Sequence, residues 1–385
     1  MSSPSRAAVR RWALRALVVF VPLVLGALGG STLARPDPVR VEVERPAPPP
    51  DPSATFVHAD GWFPDAAASD SEARSARFVS FAHTPAGQVN ELPKHVFLWN
   101  AERKLTGRAP PAKEQNPTGS CVGFGVTTAI ERTLAADIAA RRGDPAEFTH
   151  FSEEVTYAGS RVQGARLVGG GTPRGDGSTG VYAKAFVTHF GMVPKAKYGA
   201  IDLTAYSAKR AHDWNHLGCP KELEAVARKY PVRDGAKVTN WREFKAAVAS
   251  GYGVAICANW SFSRERDANG VARPTREGWA HCMAADGYIV LDDGREFGHI
   301  ENSWSDLPGV GPYHTGPTGW GDPSTAGFWA ASDAIDRAVR QGDSYAYSGA
   351  TGFPARVLPP DWFIRGPLVA PRGFARIFQQ EGSSW

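Results

Sequence analysis

Four side chains in this chain of 385 residues have the types and the order that thiol chemistry needs: Gln115, Cys121, His281 and Asn302. A cysteine attacks a carbonyl as thiolate, and an ordinary thiol is mostly protonated at neutral pH. Cys121 stands just before an apolar stripe of helical period, Val126, Ile130, Leu134 and Ile138. It therefore falls at a helix N-terminus, where the dipole and unpaired N–H groups favour an anion. A histidine beside it takes the thiol proton and returns it to a leaving amine. An asparagine orients the imidazole in one variant of the catalytic triad. The oxyanion needs donors, and the Cys121 N–H and the Gln115 amide would supply two. Each residue alone has an ordinary explanation. A lone helical cysteine or strand histidine is usually a core residue, and an Asn before Ser-Trp or a Gln before Asn-Pro usually belongs to a turn. Their combination, each inside its own local motif, carries the reading.

The flanking pattern gives the elements that must hold these groups. Residues 122–140 read as one amphipathic helix, stopped at Arg141-Arg142-Gly143-Asp144-Pro145. Ser152 is a good N-cap for a second helix. A Gly-rich stretch, 169–180, leads into a third over 181–190, stopped by Gly191, and 223–229 and 241–250 read as two more. Residues 252–258, 280–290 and 297–300 are strand-like, with a turn at Asp292-Asp293-Gly294. Helices first and strands later predict an α+β architecture.

Composition excludes some function classes. The formal net charge of +4 is matched by Arg6, Arg10, Arg11 and Arg15, and the first 34 residues contain no acid, so the remainder is neutral in sum. The basic character is no argument for nucleic acid. Behind these arginines, residues 16–34 carry no charge and read as a signal peptide or signal anchor, loosely of the twin-arginine kind. Either places the body outside the cytoplasm, secreted or membrane-anchored through residues 16–34. The domain reading is 1–34 signal or anchor, 35–91 Pro-rich linker with a short pro-segment or arm, 92–345 the main domain, and 346–385 a C-terminal extension. Of the four cysteines, Cys121, Cys219, Cys257 and Cys282, at most one intramolecular pair forms if Cys121 is a nucleophile.

Several blocks resemble the papain-like cysteine peptidases, the bacterial and viral members in particular. They are Leu92-Pro93 to Trp99, Gln115 to Phe124, Phe151-Ser152-Glu153-Glu154-Val155-Thr156-Tyr157, Asp176-Gly177-Ser178-Thr179-Gly180, Phe190-Gly191-Met192-Val193-Pro194, Glu301-Asn302-Ser303-Trp304, Trp320-Gly321 and Gly327-Phe328-Trp329. The resemblance implies a two-lobe fold, with a helical lobe carrying the nucleophile helix and a β-barrel-like C-terminal lobe. It implies peptide-bond hydrolysis through a Cys121 thioester, with His281 as general acid/base, Asn302 as orienter and Gln115 as oxyanion donor. Trp304 would cover the Asn302–His281 hydrogen bond, and Gly177 and Ser178 would meet a peptide or protein substrate as a strand edge. Cys257, Ala280 and Cys282 would line the subsite for the second residue before the scissile bond. Two thiols in a small apolar pocket are the preferred reading of that cysteine pair, a cross-strand disulfide the other. With no charge among those residues, an apolar substrate side chain is expected there. Thr118 and Val122 depart from the plant-enzyme signature around the nucleophile. No cofactor is implied. A metal site at Cys257, His281 and Cys282 lacks the usual ligand spacing, and the Asn-Ser-Trp block and Gln115 argue against a cell-wall amidase. The alternative is a catalytically silent protein of the same fold that binds peptides or serves structurally.

Overall fold

In this computed structural model, residues 61–75, 78–266, 271–304 and 327–358 are described. The uncharged run 16–34, the spacer 35–54, Trp320-Gly321 and residues 359–385 lie outside them. No helix of the described residues is long and apolar enough to cross a membrane. Their helices are α1 (Ala66–Ala73), α2 (Trp99–Thr106), α3 (Cys121–Ala140), α4 (Glu153–Gly159), α5 (Ala165–Leu167), α6 (Gly180–Phe190), α7 (Ala208–Trp214), α8 (Lys221–Ala227), α9 (Trp241–Ala249) and α10 (Ser332–Val339). The strands are β1 (His95–Phe97), β2 (Lys197–Tyr198), β3 (Ile201–Asp202), β4 (Asp234–Lys237), β5 (Val254–Arg266), β6 (Ala272–Val290), β7 (Glu296–Glu301), β8 (Gly327–Ala331) and β9 (Ser344–Ser348).

The long helix α3 is apolar or small around most of its circumference, the pattern of a helix buried on all sides. Two glycines let neighbours close on it. A Cβ at Gly123 would come within 2.6 Å of the Glu153 carbonyl oxygen at the start of α4, and one at Gly125 within 3.1 Å of Cys282 on β6. Shorter helices begin at side-chain caps: Ser152, Thr179, Ser207 and Asn240 each accept from the backbone N–H three residues on, which stabilises each start by about 1 kcal/mol.

The main sheet runs β4-β9-β5-β6-β7-β8, with β1 added on β6, and every pairing in it is antiparallel. Its side chains alternate between two cores, as a period of two requires. Val254, Ile256, Ala258, Met283 and Ala285 join the core that holds Phe244 of α9 and Ile335 of α10. Ala255, Cys257, Cys282 and Ala284 join the core that holds Val122, Val155 and Phe186 of the helices. The central strands are thus buried on both faces, and α3 lies on the second. The α+β division expected from the chain order is present, and the expected barrel-like lobe takes the form of this seven-stranded sheet.

Within 35–91, the segment from Gly61 to Ala73 lies on the body as an arm: Trp62 and Ala68 are buried in the helical core, and Glu72 accepts from Tyr345 Oη at 2.7 Å and pairs with Lys184 at 2.8 Å. A boundary after 345 would cut β9, and Phe353 and Leu358 are buried in the sheet core, so the body continues to Leu358.

Candidate active site

Cys121 is the first residue of α3, is fully buried, and forms no disulfide. The turn before it is held from several directions. Asn116 has φ 55°, a conformation Asn tolerates better than most residues. Ser120 Oγ and Thr118 Oγ1 both lie 2.8 Å from Tyr206 Oη. The Gly119 N–H donates to Asp176 Oδ2 at 2.5 Å, and Asp176 also accepts from Tyr157 Oη.

His281 lies on β6, one residue before the Cys282 that touches α3 one turn from Cys121. Its Nε2 is 2.8 Å from Asn302 Oδ1, which also accepts from the Ser303 N–H at 2.8 Å. The second contact fixes which way the amide points. Trp304 and Trp279 wall the imidazole, with ring centroids 4.5 and 5.5 Å from it. Trp304 is fully buried and Asn302 nearly so, which shields the His281–Asn302 hydrogen bond from water.

Gln115 arrives from the other side. Its N–H donates to the Ser303 carbonyl at 2.8 Å, beside an antiparallel bridge from Glu114 to Trp304. Its side-chain Oε1 accepts from Ser303 Oγ at 2.6 Å, and Nε2 donates to the Thr118 carbonyl at 2.7 Å. The short segment 114–115 thus ties the turn before Cys121 to the segment after Asn302. The structure brings Gln115, Asn302, His281 and Trp304 into one hydrogen-bonded and aromatic cluster, with Cys121 at the adjoining helix start.

Gly177 and Ser178 form the strand edge, and the edge is occupied. The Ser178 N–H donates to the Gly61 carbonyl at 2.8 Å and the Phe63 N–H donates to the Ser178 carbonyl at 3.2 Å, around a parallel bridge from Trp62 to Ser178. Gly61 lies directly on Gly119, where a Cβ would come within 2.2 Å of the Gly119 carbonyl. Buried Arg161 holds the edge in place by donating to the carbonyls of Gly175 at 2.7 Å and Pro173 at 3.0 Å, and to that of Gly177.

The pocket expected at Cys257, Ala280 and Cys282 is not a thiol-lined subsite. Cys257 and Cys282 sit opposite each other on β5 and β6 and form a disulfide. Both are fully buried, and the preferred reading of two free thiols is corrected to the cross-strand disulfide. The antiparallel register sets the two Cα atoms 4.0 Å apart, close enough to bridge. Closing the loop stabilises the fold on the order of 3 kcal/mol. Ala280, one residue before His281, is only half-buried.

A second polar cluster abuts the site through Glu301, the neighbour of Asn302. Arg132 of α3 pairs with Asp286 at 2.9 Å, with Glu301 at 2.5 Å, and with Glu102. His299 Nδ1 lies 2.7 Å from Asp286 Oδ1. Burial pushes the Glu301 carboxyl up to about 7, against the pull of Arg132, and raises Asp286 and Glu102 as well. Asp286, His299 and Glu301 also have metal-ligand types and spacing. The Arg132 guanidinium already supplies the positive charge between the two carboxylates, so an ion-pair cluster is the reading that fits. A cavity of about 920 Å³, bordered by Leu134, Phe148, Phe151, Tyr230, Tyr347 and Arg356, contains none of the four catalytic candidates. Chemistry, not size, locates the site.

Sequence reasoning passed over Ser303, Asp176, Arg161, Trp62 and Asp343. Ser303 and Asp176 stood inside motifs read for a neighbour. Arg161 and Asp343 carry no sequence signal that separates them from ordinary residues, and Trp62 stands in the apolar cluster Trp62-Phe63-Pro64 of the pro-segment or arm.

No protein-family model matches the chain, and neither does any curated protein. Among solved structures it is similar to xylellain, a cysteine protease from Xylella fastidiosa, at 18% identity and a TM-score of 0.48, covering 75% of this chain and 96% of that one. It is similar to digestive procathepsin L 3 of the Tenebrio molitor larval midgut at 15% identity and a TM-score of 0.44, covering 76% and 82%. It is also similar to the bromelain protease from Ananas comosus in complex with the E64 inhibitor, at 17% identity and a TM-score of 0.41, covering 67% and 99%.

Proposed function

We propose that the chain is a cysteine peptidase that cleaves peptide bonds through Cys121. The observation that carries this is the 2.8 Å contact between His281 Nε2 and Asn302 Oδ1, on the strand that packs against the helix Cys121 begins. With Asn302 accepting from Nε2, Nδ1 is the ring nitrogen assigned to the thiol proton in this reading. The thiolate attacks the substrate carbonyl, and the oxyanion takes hydrogen bonds from the Cys121 N–H and the Gln115 amide. Collapse of this intermediate expels the amine, which takes its proton from His281 and leaves a Cys121 thioester. Water, deprotonated by His281, then releases the acid and restores the thiol. Activity should follow a bell-shaped pH profile, with thiolate formation on the acid limb and loss of the His281 proton on the alkaline limb.

One observation favours the silent, peptide-binding reading: Cys121 is fully buried and Gly61–Phe63 covers the Ser178 edge. The two readings part on covalent chemistry. Labelling by an irreversible epoxide or vinyl-sulfone peptide, and turnover that drops about 10⁴-fold in Cys121→Ala, support the peptidase. Equal hydrolysis by wild type and Cys121→Ala would falsify it. Export rests on the Arg-flanked uncharged run 16–34, and cleavage of the body by protease added to intact cells is the expected outcome.

A further inference from the structure

One side chain outside the catalytic candidates reaches several points of the turn before Cys121. Tyr206 stands between β3 and α7. Its Oη lies 2.8 Å from Thr118 Oγ1, 2.8 Å from Ser120 Oγ and 3.1 Å from the Gln115 carbonyl oxygen. Thr118 Oγ1 donates to the same carbonyl at 2.7 Å and lies 2.7 Å from Ser120 Oγ. Three hydroxyls thus form one cluster on the Gln115 carbonyl. The Tyr206 ring meets Phe124 of α3 edge to face, with centroids 4.7 Å apart. Burial pushes the Tyr206 hydroxyl up to about 12, against the hydrogen bonds from Ser120 and Thr118, so it keeps its proton and can donate at neutral pH. The backbone that presents it is anchored on both sides. Leu203 is fully buried, and its N–H donates to the Ala196 carbonyl at 2.9 Å. Ser207 caps α7, whose Arg210 pairs with buried Glu154 of α4 at 2.6 Å and donates to the Ala205 carbonyl at 2.9 Å.

We propose that Tyr206 is a positioning residue of the oxyanion site: its hydroxyl sets the separation of the Gln115 amide and the Cys121 N–H, the two donors that must converge on one oxygen. The proposal rests on the Cys121 peptidase reading. Those donors stand at the two ends of a tight turn, in which Asn116 has φ 55° and accepts from the Thr118 N–H at 2.7 Å. The Gln115 side chain reaches across the turn to the Thr118 carbonyl, and the Thr118 hydroxyl reaches back to the Gln115 carbonyl. Tyr206 ties both ends of this pair to Ser120, the neighbour of Cys121. Thr118 stands where the plant-enzyme signature has its first cysteine, so hydroxyls hold the turn where that signature would permit a sulfur bridge. An oxyanion donor acts at about 2.7–3.1 Å from the place the developing charge will occupy. A small displacement therefore weakens the transition state and leaves substrate binding almost unaltered.

The test is Tyr206→Phe in the full chain, which keeps the ring on Phe124 and removes the hydroxyl. Deleting an oxyanion donor outright costs about 10²–10³ in kcat, so displacing one should lower kcat about tenfold on a fluorogenic peptide, with KM within about twofold. An aldehyde built on the fastest-cleaved peptide supplies a second reading. The Cys121 sulfur adds to its carbonyl carbon and the thiol proton goes to the solution or the new oxygen, giving a tetrahedral adduct whose oxygen sits in the same site. Its affinity should fall about tenfold, in step with kcat. Alkylation of Cys121 by iodoacetamide forms no oxyanion, and its rate should stay within about twofold. A general loosening of the site would move all three together. Should Tyr206→Phe fail to fold, Thr118→Val, which removes the partner hydroxyl at the same shape, should show the same split. Unchanged kcat and aldehyde affinity would overturn the proposal, as would a raised KM at constant kcat or an alkylation rate that falls with kcat. A wild-type chain that iodoacetamide labels at Cys121 but that cleaves no peptide of a fluorogenic library would overturn the peptidase reading itself, and the oxyanion role with it.

Discussion

Two histidines on adjacent strands of the same sheet, His281 on β6 and His299 on β7, are alike in almost every respect that burial can measure. Both are fully buried, and each is walled by two tryptophans: Trp304 and Trp279 for His281, Trp99 and Trp329 for His299. They differ in what they touch. His299 meets the carboxylate of Asp286, itself paired with Arg132. His281 meets the neutral amide of Asn302. A carboxylate already held by a guanidinium ties His299 into a fixed charge cluster. An amide orients the ring without adding charge, which suits the proton transfer proposed between His281 and Cys121. Burial and aromatic caging are shared; the partner's chemistry separates a structural histidine from a catalytic candidate.

The sharpest break of this comparison is the paired substitution. His281→Ala should lower kcat about 10⁴-fold, as removal of the proton donor does in triads, with a smaller loss of stability than His299→Ala because no charge cluster is broken. His299→Ala should do the reverse: turnover per folded molecule within a few-fold of wild type, but a lower denaturation midpoint. Urea unfolding together with active-site titration separates the two effects. Comparable kinetic losses in both variants would mean that the two sites are one network.

Arg132 tests the charge cluster directly. It is the common partner of Glu102, Asp286 and Glu301, and Arg132→Met would leave three carboxyl groups buried without it. Breaking a buried ion pair by removing one partner costs about 3–5 kcal/mol, which should appear as a lower urea midpoint at unchanged slope. The cluster also gives stability a pH dependence of definite sign. Glu301 is raised from 4.5 to about 7 in the fold, so between those values the native state holds a proton that the unfolded chain has released. Its contribution is present below 4.5 and lost as pH rises through about 7. Stability should fall between pH 5 and 7, and Glu301→Gln, which has no proton to lose, should flatten that slope. An unchanged slope in Glu301→Gln would place the dependence elsewhere.

The sequence could be read where chemistry is local. Cys121 was legible because the helical stripe after it is strong, and α3 begins at that residue. Ser152 and Gly191 marked helix ends because caps and left-handed glycines are local rules, and the structure uses both. Asn302 and His281 stood inside short motifs, and their contact joins strands that the motifs themselves occupy. What could not be read depends on distant pairs. The Trp62 indole donates to Asp343 from 281 positions away, and neither has a neighbour that signals the other. The disulfide was half legible: both cysteines were placed on neighbouring strands, but only the register decides whether they face each other. Arg161 and Arg132 have no local signal either, because a lone charge in a helix gives no sign of the carbonyls or carboxylates that bury it.

The smallest expected effect falls on the residue that links the two halves of the site. Ser303 Oγ donates to Gln115 Oε1 at 2.6 Å, and its backbone N–H donates to Asn302 Oδ1 at 2.8 Å. Ser303→Ala removes only the first contact. The Gln115 amide then keeps its bond to the Thr118 carbonyl but loses the interaction that fixes which end of the amide is oxygen. A buried neutral hydrogen bond is worth about 1 kcal/mol net, so kcat should fall about fivefold. KM should hardly move, because an oxyanion donor acts in the transition state more than in the ground state. The His281–Asn302 pair is untouched, so the pH profile should keep its shape. A raised KM at constant kcat would show Ser303 supporting substrate binding instead, and a shifted alkaline limb would show that it acts through Asn302.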